Sequence, residues 1–316
     1  LIRSIHNEND RALWRNLCAS SKTGSFWADP DWAKILCDCY PGYKNATRIM
    51  RLGKSEIVIP LISISRSYWL WHSLESMPLG QYGGLLCDAR LTDDQLFEGI
   101  RNLQRLPITS ATINLFGDYR EFEVPKGVDV YKSHTHVLHL PNDVDNLWMD
   151  CYSAGCRNKI RQGIDAGVQV RSMTPEAAMP VIMEIEKRWR DAMQLAPHYP
   201  KALFDAVGTM SQKTARCYVG FIGTLPIAAM TVFYYQEKAY SFLTVDDGKN
   251  RALRPVNTLV HVALEDAVIH GKTHFDFGQS LEKKSLEEFK EGFGAKKKTG
   301  VTLRVFGDLY QRVKRT

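Results

Sequence analysis

Histidines crowded into one short run, free thiols and arginines at helical spacing are the groups in this chain that invite a chemical reading. His134, His136 and His139 stand close enough together to suggest a metal. The run that begins directly after His134, Thr135 to Leu140, reads as a strand, and strand side chains alternate between faces. His134 and His136 therefore point one way and His139 the other. No cysteine or carboxylate spacing elsewhere completes a zinc set, and no metal is expected. The seven cysteines, Cys18, Cys37, Cys39, Cys87, Cys151, Cys156 and Cys217, are an odd number with no C-x-x-C pair. They read as the reduced, mostly buried thiols of a cytoplasmic protein, and neither Cys151 nor Cys217 has a patterned histidine to make it a nucleophile. Arg157 and Arg161 lie four apart and share one helix face. That pattern fits a phosphate or an RNA backbone, and it equally fits a solvated cationic face.

Several enzyme classes fail on spacing. Gly53-Lys54-Ser55 and Gly271-Lys272-Thr273 each lack the earlier glycine of a nucleotide-triphosphate loop, and G-x-G-x-x-G, H-E-x-x-H and G-x-S-x-G are all missing. The chain has 316 residues, enough for two domains, with 44% hydrophobic and 24% charged residues, the balance of a globular protein. Forty-one Lys+Arg against 35 Asp+Glu leave a net charge of +6, which favours anionic ligands without marking a dedicated nucleic-acid binder. The longest apolar runs, Ile57 to Ile64 and Pro226 to Tyr235, are strand-length, so no membrane-spanning helix is expected. The sequence opens on Leu1 rather than Met, which leaves a trimmed start open.

The elements that must position these groups can be read from periodicity. Helices are expected over Asn9 to Ala19 and over Pro30 to Cys39, the second capped by Asp29. Strands follow at Asn45 to Leu52, Glu56 to Ile64 and Ser67 to Leu74. An irregular stretch, Met77 to Gly84, is then forced by its glycines and proline. A helix at Asp93 to Gln104 and a strand at Ala111 to Phe116 close this half, and the boundary is expected at 1–134 against 135–316. The second half reads as a strand from Thr135, then helix from Asp143 to Gly167 bent near Gly155. A strand at Val168 to Met173 and helices at Pro175 to Leu195 and Lys201 to Met210 come next. The strands Arg216 to Ile222, Pro226 to Tyr235 and Ala239 to Val245 form an antiparallel meander. The helix from Pro255 carries an apolar stripe of Leu259, Val260, Ala263, Leu264, Ala267 and Val268. A strand at Thr273 to Phe277, a helix from Glu282 to Phe293 and a strand at Val301 to Phe306 end the order. Helices set between strands of a mixed sheet mean α/β or α+β. Trp69, Trp71, Phe233, Tyr234, Tyr235 and Tyr240 fall on strands, where core packing is the ordinary role.

That order resembles the GNAT acyltransferase fold, and local words narrow the likeness. Leu138-His139-Leu140, Leu147-Trp148 and the run Arg157 to Val168 resemble the opening of the second domain in FemAB-like proteins, also grouped as BioF2-like acetyltransferase domains. His274 to Ser280, followed by Phe289 to Ala295, resembles its ending. Met77-Pro78-Leu79, Tyr82-Gly83-Gly84 and His198-Tyr199-Pro200 fit at matching places. The resemblance implies two tandem GNAT-like domains, each a mixed sheet flanked by helices, without the long coiled-coil arm of some members. It implies transfer of an acyl or aminoacyl group to an amine by direct attack, from aminoacyl-tRNA or acyl-CoA as donor substrate, with no tightly bound cofactor. The acceptor would be an amine-bearing small molecule or cell-envelope precursor, with tRNA as a partner in the aminoacyl case. A binding module that keeps the fold without the chemistry is the rival.

The same resemblance assigns roles. Lys290 falls where the family has a lysine thought to stabilise the transition state, and a fixed cation beside the forming oxyanion suits this reaction. A solvated residue balancing Glu287 and Glu291 gives the same local pattern. Asp276 is the candidate proton acceptor for the attacking amine, against a role holding the turn or capping the next helix. Phe289, Tyr199, Tyr82, Gln279, Arg157 and Arg161 are expected on the substrate side. In acetyl-CoA enzymes of this fold a glycine-rich loop before the main helix offers N–H groups to the pyrophosphate. Here that loop is Asp247 to Asn257, without the double glycine, so Arg251, Arg254 and Asn257 are the expected donor contacts, and Pro255 removes one N–H. Lys296-Lys297-Lys298 and Arg312, Lys314 and Arg315 add charge near the C-terminus.

Overall fold

Turn chemistry and caps set the ends of the elements much as their residues dictate. The computed structural model describes residues 2–53, 55–64, 72–89, 91–116, 124–280 and 282–313. Lys314, Arg315, Trp69, Trp71 and the start of the strand expected at Ser67 lie outside them. By their internal contacts the residues form two units, 1–134 with 298–316, and 135–297. The chain thus returns to the first unit at its end, a crossing that a linear division at residue 134 does not contain.

In the first unit, β1 (Ile2–Ser4) precedes α1 (Glu8–Ser20) and α2 (Pro30–Cys39), the latter capped by Asp29 Oδ1 on the Asp31 N–H with Pro30 at its first position. The strands then depart from the expected run. Asn45 to Leu52 is two strands, β2 (Tyr43–Asn45) and β3 (Arg48–Leu52). Glu56 to Ile64 is likewise β4 (Ser55–Ile59) and β5 (Ile62–Ile64). The breaks coincide because β3 and β4 pair with β1 in one sheet while β2 and β5 pair in another. At the corner Thr47 Oγ1 accepts the Leu61 N–H and Asn45 Oδ1 the Thr47 N–H, so side chains satisfy backbone donors that the ladder drops. β6 (His72–Glu75) then leads through α3 (Asp93–Gln104), whose Thr92 and Gln95 make a capping box, to β7 (Ile108–Phe116), parallel to β6. Residues 300–306 pair antiparallel with β7. Met50, Leu52, Ile57, Ile100, Leu103, Ile113 and Leu303 fill the core beneath α3.

The boundary falls inside β8 (Val128–His139). The second unit continues with α4 (Val144–Asn146), a π-helical turn over Leu147–Cys151, and α5 (Ala154–Asp165), so the expected bend comes at Tyr152 and Ser153, where Ser153 caps α5. β9 (Gln169–Met173), α6 (Pro175–Met193) and α7 (Lys201–Gly208) precede the meander β10 (Ala215–Ile222), β11 (Leu225–Tyr235) and β12 (Lys238–Asp246). α8 (Pro255–Ile269) crosses to β13 (His274–Gln279), which lies parallel to β12. α9 (Lys284–Gly292) and β14 (Lys296–Phe306) follow, and α10 (Asp308–Val313) belongs to the first unit. The sheet of the second unit therefore runs β9-β10-β11-β12-β13-β8, antiparallel except for the β12–β13 pair. Each unit is a mixed sheet flanked by helices. The predicted stripe of α8 is buried from Leu259 to Val268 among Tyr218, Met230, Val232 and Phe275. Tyr234 and Tyr240 join Phe233 as core residues, as their strand positions imply.

Two features shape the C-terminal end of this sheet. β12 and β13 pair only from Lys238–His274 to Tyr240–Asp276, although β12 runs on to Asp246, so the two parallel strands part toward their C-terminal ends. β12 also carries a bulge, because Thr231 faces Leu243 while Val232 faces Ser241, leaving Phe242 as the extra residue. α9 is set against this end by Gly294. Its φ of +87° lies in the left-handed region, and a Cβ there would stand 2.6 Å from the Cys151 carbonyl oxygen. Gly294→Ala combines that strain with a backbone clash and is expected to destabilise the fold by about 2–4 kcal/mol, read as a lowered urea midpoint at constant m.

Candidate functional site

β13 does not finish as a regular strand. Its pairing with β8 runs from His274–His139 to Asp276–Val137 and then slips, so that Gln279 faces Thr135. Phe277 and Gly278 thus stand opposite the one residue His136, and Gly278 takes a φ of +74°, which favours glycine. The slip turns two carbonyls toward α9. There the Lys290 ammonium donates to Gly278 O and to Gln279 O, each at 2.8 Å. Lys290 is only 4% exposed, so it is not the solvated helix residue of the alternative reading. Glu287 pairs instead with Lys297 at 3.3 Å. Burial pushes the Lys290 pKa down to about 8, and the carboxylates of Asp276 and Glu287 oppose that fall.

A set of buried polar side chains surrounds the slip. Asp276 Oδ1 accepts from Thr135 Oγ1 at 2.6 Å and from the Gly278 N–H at 2.8 Å. These contacts give Asp276 the turn-holding part among its expected roles. His136 lies against Ser280, Nδ1 to Oγ at 3.2 Å, and its Nε2 is 3.8 Å from Glu291 Oε1. Thr135, His136, Asp276, Ser280 and Lys290 are all buried. Buried polar groups need partners, and this cluster around one β-bulge makes it the candidate site of the second unit.

The structure brings Lys290, Asp276 and Gln279 together. Phe289 is half-buried beside them, its ring edge-on to Phe293 at 5.3 Å. Tyr199 is half-buried at the start of α7, with its ring 5.5 Å from that of Phe242, the bulged residue of β12, and 4.4 Å from that of His198. Tyr82 belongs to the first unit, where its carbonyl accepts from Ser25 Oγ at 3.3 Å. Arg157 and Arg161 do share a face, around Trp148, but their charges are differently placed. Arg157 donates to the carbonyls of Trp148 at 3.1 Å and Tyr152 at 2.6 Å and so closes the π-turn. Arg161 is exposed, its guanidinium 5.3 Å over the Trp148 ring. Cys151 and Cys217 are not poised for attack, since burial raises the first and pushes the second up to about 11.

The loop before α8 is already occupied by its own side chains. Asp246 Oδ1 accepts the Gly248 N–H at 2.8 Å and Arg251 Nε at 2.7 Å. Asp247, buried, accepts the N–H groups of Lys249 at 3.1 Å and Asn250 at 3.0 Å, and Asn250 Nδ2 at 2.6 Å. Arg254 sits at the start of α8 with a φ of +56°, and its carbonyl takes the Asn257 N–H at 3.1 Å. α5 lies over this turn. A Cβ on Gly163 would stand 2.2 Å from Thr258 Oγ1 and 3.3 Å from the carbonyl oxygens of Leu253 and Arg254.

Residues 152–291 match the acetyltransferase (GNAT) domain family. The fold of the whole chain is similar to that of FemX, at 10% identity and a TM-score of 0.70, covering 100% of this chain and 99% of that one. It is similar to the C-terminal domain of a putative lysylphosphatidylglycerol synthetase from Agrobacterium fabrum, at 10% identity, a TM-score of 0.56 and coverage of 98% and 96%. A tandem GNAT protein from the clavulanic acid biosynthesis pathway is similar at 13% identity, a TM-score of 0.56 and coverage of 96% and 97%. No protein of curated function matches the chain. The fold is similar to that of FemX and of a tandem GNAT protein, a mixed sheet flanked by helices in each of two units. Among the described residues no helix is long and apolar enough to cross a membrane.

Proposed function

From a chain whose residues 152–291 carry an acetyltransferase (GNAT) domain, we propose an enzyme that moves an acyl or aminoacyl group from an activated donor to an amine by direct attack, with Lys290 beside the reacting carbonyl. The observation that carries this reading is the buried Lys290 ammonium held on the end of β13, beyond its last pair with β12. Two of its three N–H groups are fixed on the Gly278 and Gln279 carbonyls, which leaves the third aimed by the first two. The amine nitrogen bonds to the acyl carbon as the carbonyl oxygen becomes an anion. That oxygen accepts the third N–H, so its charge develops against a cation already in place. When the carbonyl re-forms, the bond from the acyl carbon to the donor's oxygen or sulfur breaks. The amine's proton passes through Asp276 or water to the leaving group.

The loop bears on the donor. An incoming pyrophosphate would find the N–H groups of Gly248, Lys249 and Asn250 already taken and would meet the carboxylates of Asp246 and Asp247. An aminoacyl ester on tRNA makes no such demand on this loop, and the exposed Arg161 and Lys296 to Lys298 suit a polyanion. The acceptor in this reading is an amine on a small molecule or cell-envelope precursor. The test incubates the protein with acetyl-CoA or with a bulk aminoacyl-tRNA pool and a panel of radiolabelled amines, with and without prior ribonuclease. Labelled amide formed from the tRNA pool and abolished by ribonuclease is the expected result. Product from acetyl-CoA that survives ribonuclease would reject the tRNA donor. No transfer from either, by a folded protein, would leave a binding module.

A further inference from the structure

We infer that His136 is a positioning residue that holds the Lys290 ammonium on the carbonyls of Gly278 and Gln279. His136 lies between the two halves of that arrangement. It is the residue opposite the Phe277–Gly278 slip, so it backs the turn that presents the two carbonyls. Its Nδ1 reaches Ser280, the residue directly after Gln279, at 3.2 Å. Its Nε2 faces Glu291, the residue directly after Lys290, at 3.8 Å. One ring therefore spans from the end of β13 to the helix that delivers the lysine.

Imidazole chemistry suits this task. With the hydrogen on Nε2, the ring accepts the Ser280 hydroxyl at Nδ1 at 3.2 Å and turns its N–H to the side of the Glu291 carboxylate, which at 3.8 Å lies beyond direct hydrogen-bond distance. Leucine could fill the volume and make neither contact. Glutamine could make both, accepting from Ser280 and donating toward Glu291. The proposal rests on the acyl-transfer reading only for what the ammonium does, not for where it is held.

The test needs no substrate. Competitive labelling with acetic anhydride over a range of pH, read by mass spectrometry, gives the reactivity and pKa of Lys290 against Lys284, an exposed lysine on the same helix with an 88% exposed side chain. In His136→Leu, labelling of Lys290 relative to Lys284 should rise about tenfold or more, and its pKa should move from about 8 toward the ordinary lysine range. His136→Gln should restore most of the wild-type behaviour, a rescue that simple filling of space would not give. Ser280→Ala should shift Lys290 in the same direction by less, and it decides the matter if His136→Leu does not fold. Unchanged Lys290 labelling in His136→Leu or Ser280→Ala, or equal disturbance in His136→Leu and His136→Gln, overturns the proposal. Should Lys290→Met transfer acyl groups normally, the catalytic reading fails while the labelling result on His136 stands.

Discussion

Lys290→Met is expected to lower the rate of acyl transfer by about a hundredfold to a thousandfold, the range found when one preorganised donor to an oxyanion is removed. Methionine keeps the length and apolar body of the side chain, so the loss would report the missing ammonium rather than a cavity. The effect should fall on kcat more than on KM, because the interaction forms as charge develops on the carbonyl oxygen. The lysine must be protonated to act, and burial brings its pKa down to about 8. Activity should therefore fall as pH rises through about 8, and Lys290→Arg should move that limb out of range whatever its effect on rate. Stability should respond in the opposite sense. Between about 8 and 10.5 the unfolded chain holds the Lys290 proton and the folded one does not, so stability gains from this residue as pH rises across that window. The gap between wild type and Lys290→Met should shift by about 3 kcal/mol in favour of wild type over it. A flat difference would mean that Lys290 is not desolvated, and full activity in Lys290→Met would remove it from the mechanism.

Local signals made much of this architecture legible in the sequence. Asp29 with Pro30, Thr92 with Gln95, and the period of three and four in α8 mark helices whose ends are set by their own residues. The meander was readable because its connections are two or three residues long. What the pattern could not show depends on partners distant in the chain. The break at Ala46–Thr47 arises because β2 and β3 join different sheets, a choice made by β5 and β4. In the site, the Phe289-Lys290 word points to Lys290, and a place on a strand points to Asp276. For His136 the sequence speaks only to the metal question, because strand alternation separates it from His139 and says nothing about what lies across from it. Its neighbours Ser280 and Glu291 are 144 and 155 residues further along the chain, and the slip that exposes the two carbonyls exists only in the pairing of β8 with β13. Arg251 illustrates the reverse case. Its charge was visible in the sequence, but its bond to Asp246 at 2.7 Å was not, and that bond changes what the loop can hold.

At the other end of α8 from Arg254 the expected effect is on stability alone. Asp266, in the last turn, collects partners from three elements of the second unit. Tyr218 OH donates to its Oδ2 at 2.5 Å and Tyr234 OH at 3.2 Å. Arg216 approaches Oδ2 at 3.4 Å, and His270 Nδ1 lies 3.3 Å from Oδ1. The tyrosines stand on β10 and β11 and face α8, so this carboxylate fastens the crossover helix to the sheet. Burial pushes both phenols well above the usual tyrosine range, so they act as donors throughout the accessible pH range. Asp266→Ala would leave two buried hydroxyls and a mostly buried guanidinium without their acceptor. Breaking this partly buried network from one side costs about 2–4 kcal/mol, which lowers Tm by roughly 10 °C in a unit of this size. Asp266→Asn keeps an acceptor and loses the charge, and should fall between the two. Tyr218→Phe removes one hydrogen bond and should cost about 1 kcal/mol. Because the network lies at the end of α8 remote from Arg254, acyl transfer below the melting range should be unchanged in all three. A Tm shift under about 3 °C in Asp266→Ala would show that solvent replaces the carboxylate and that packing of the α8 stripe alone fastens the helix.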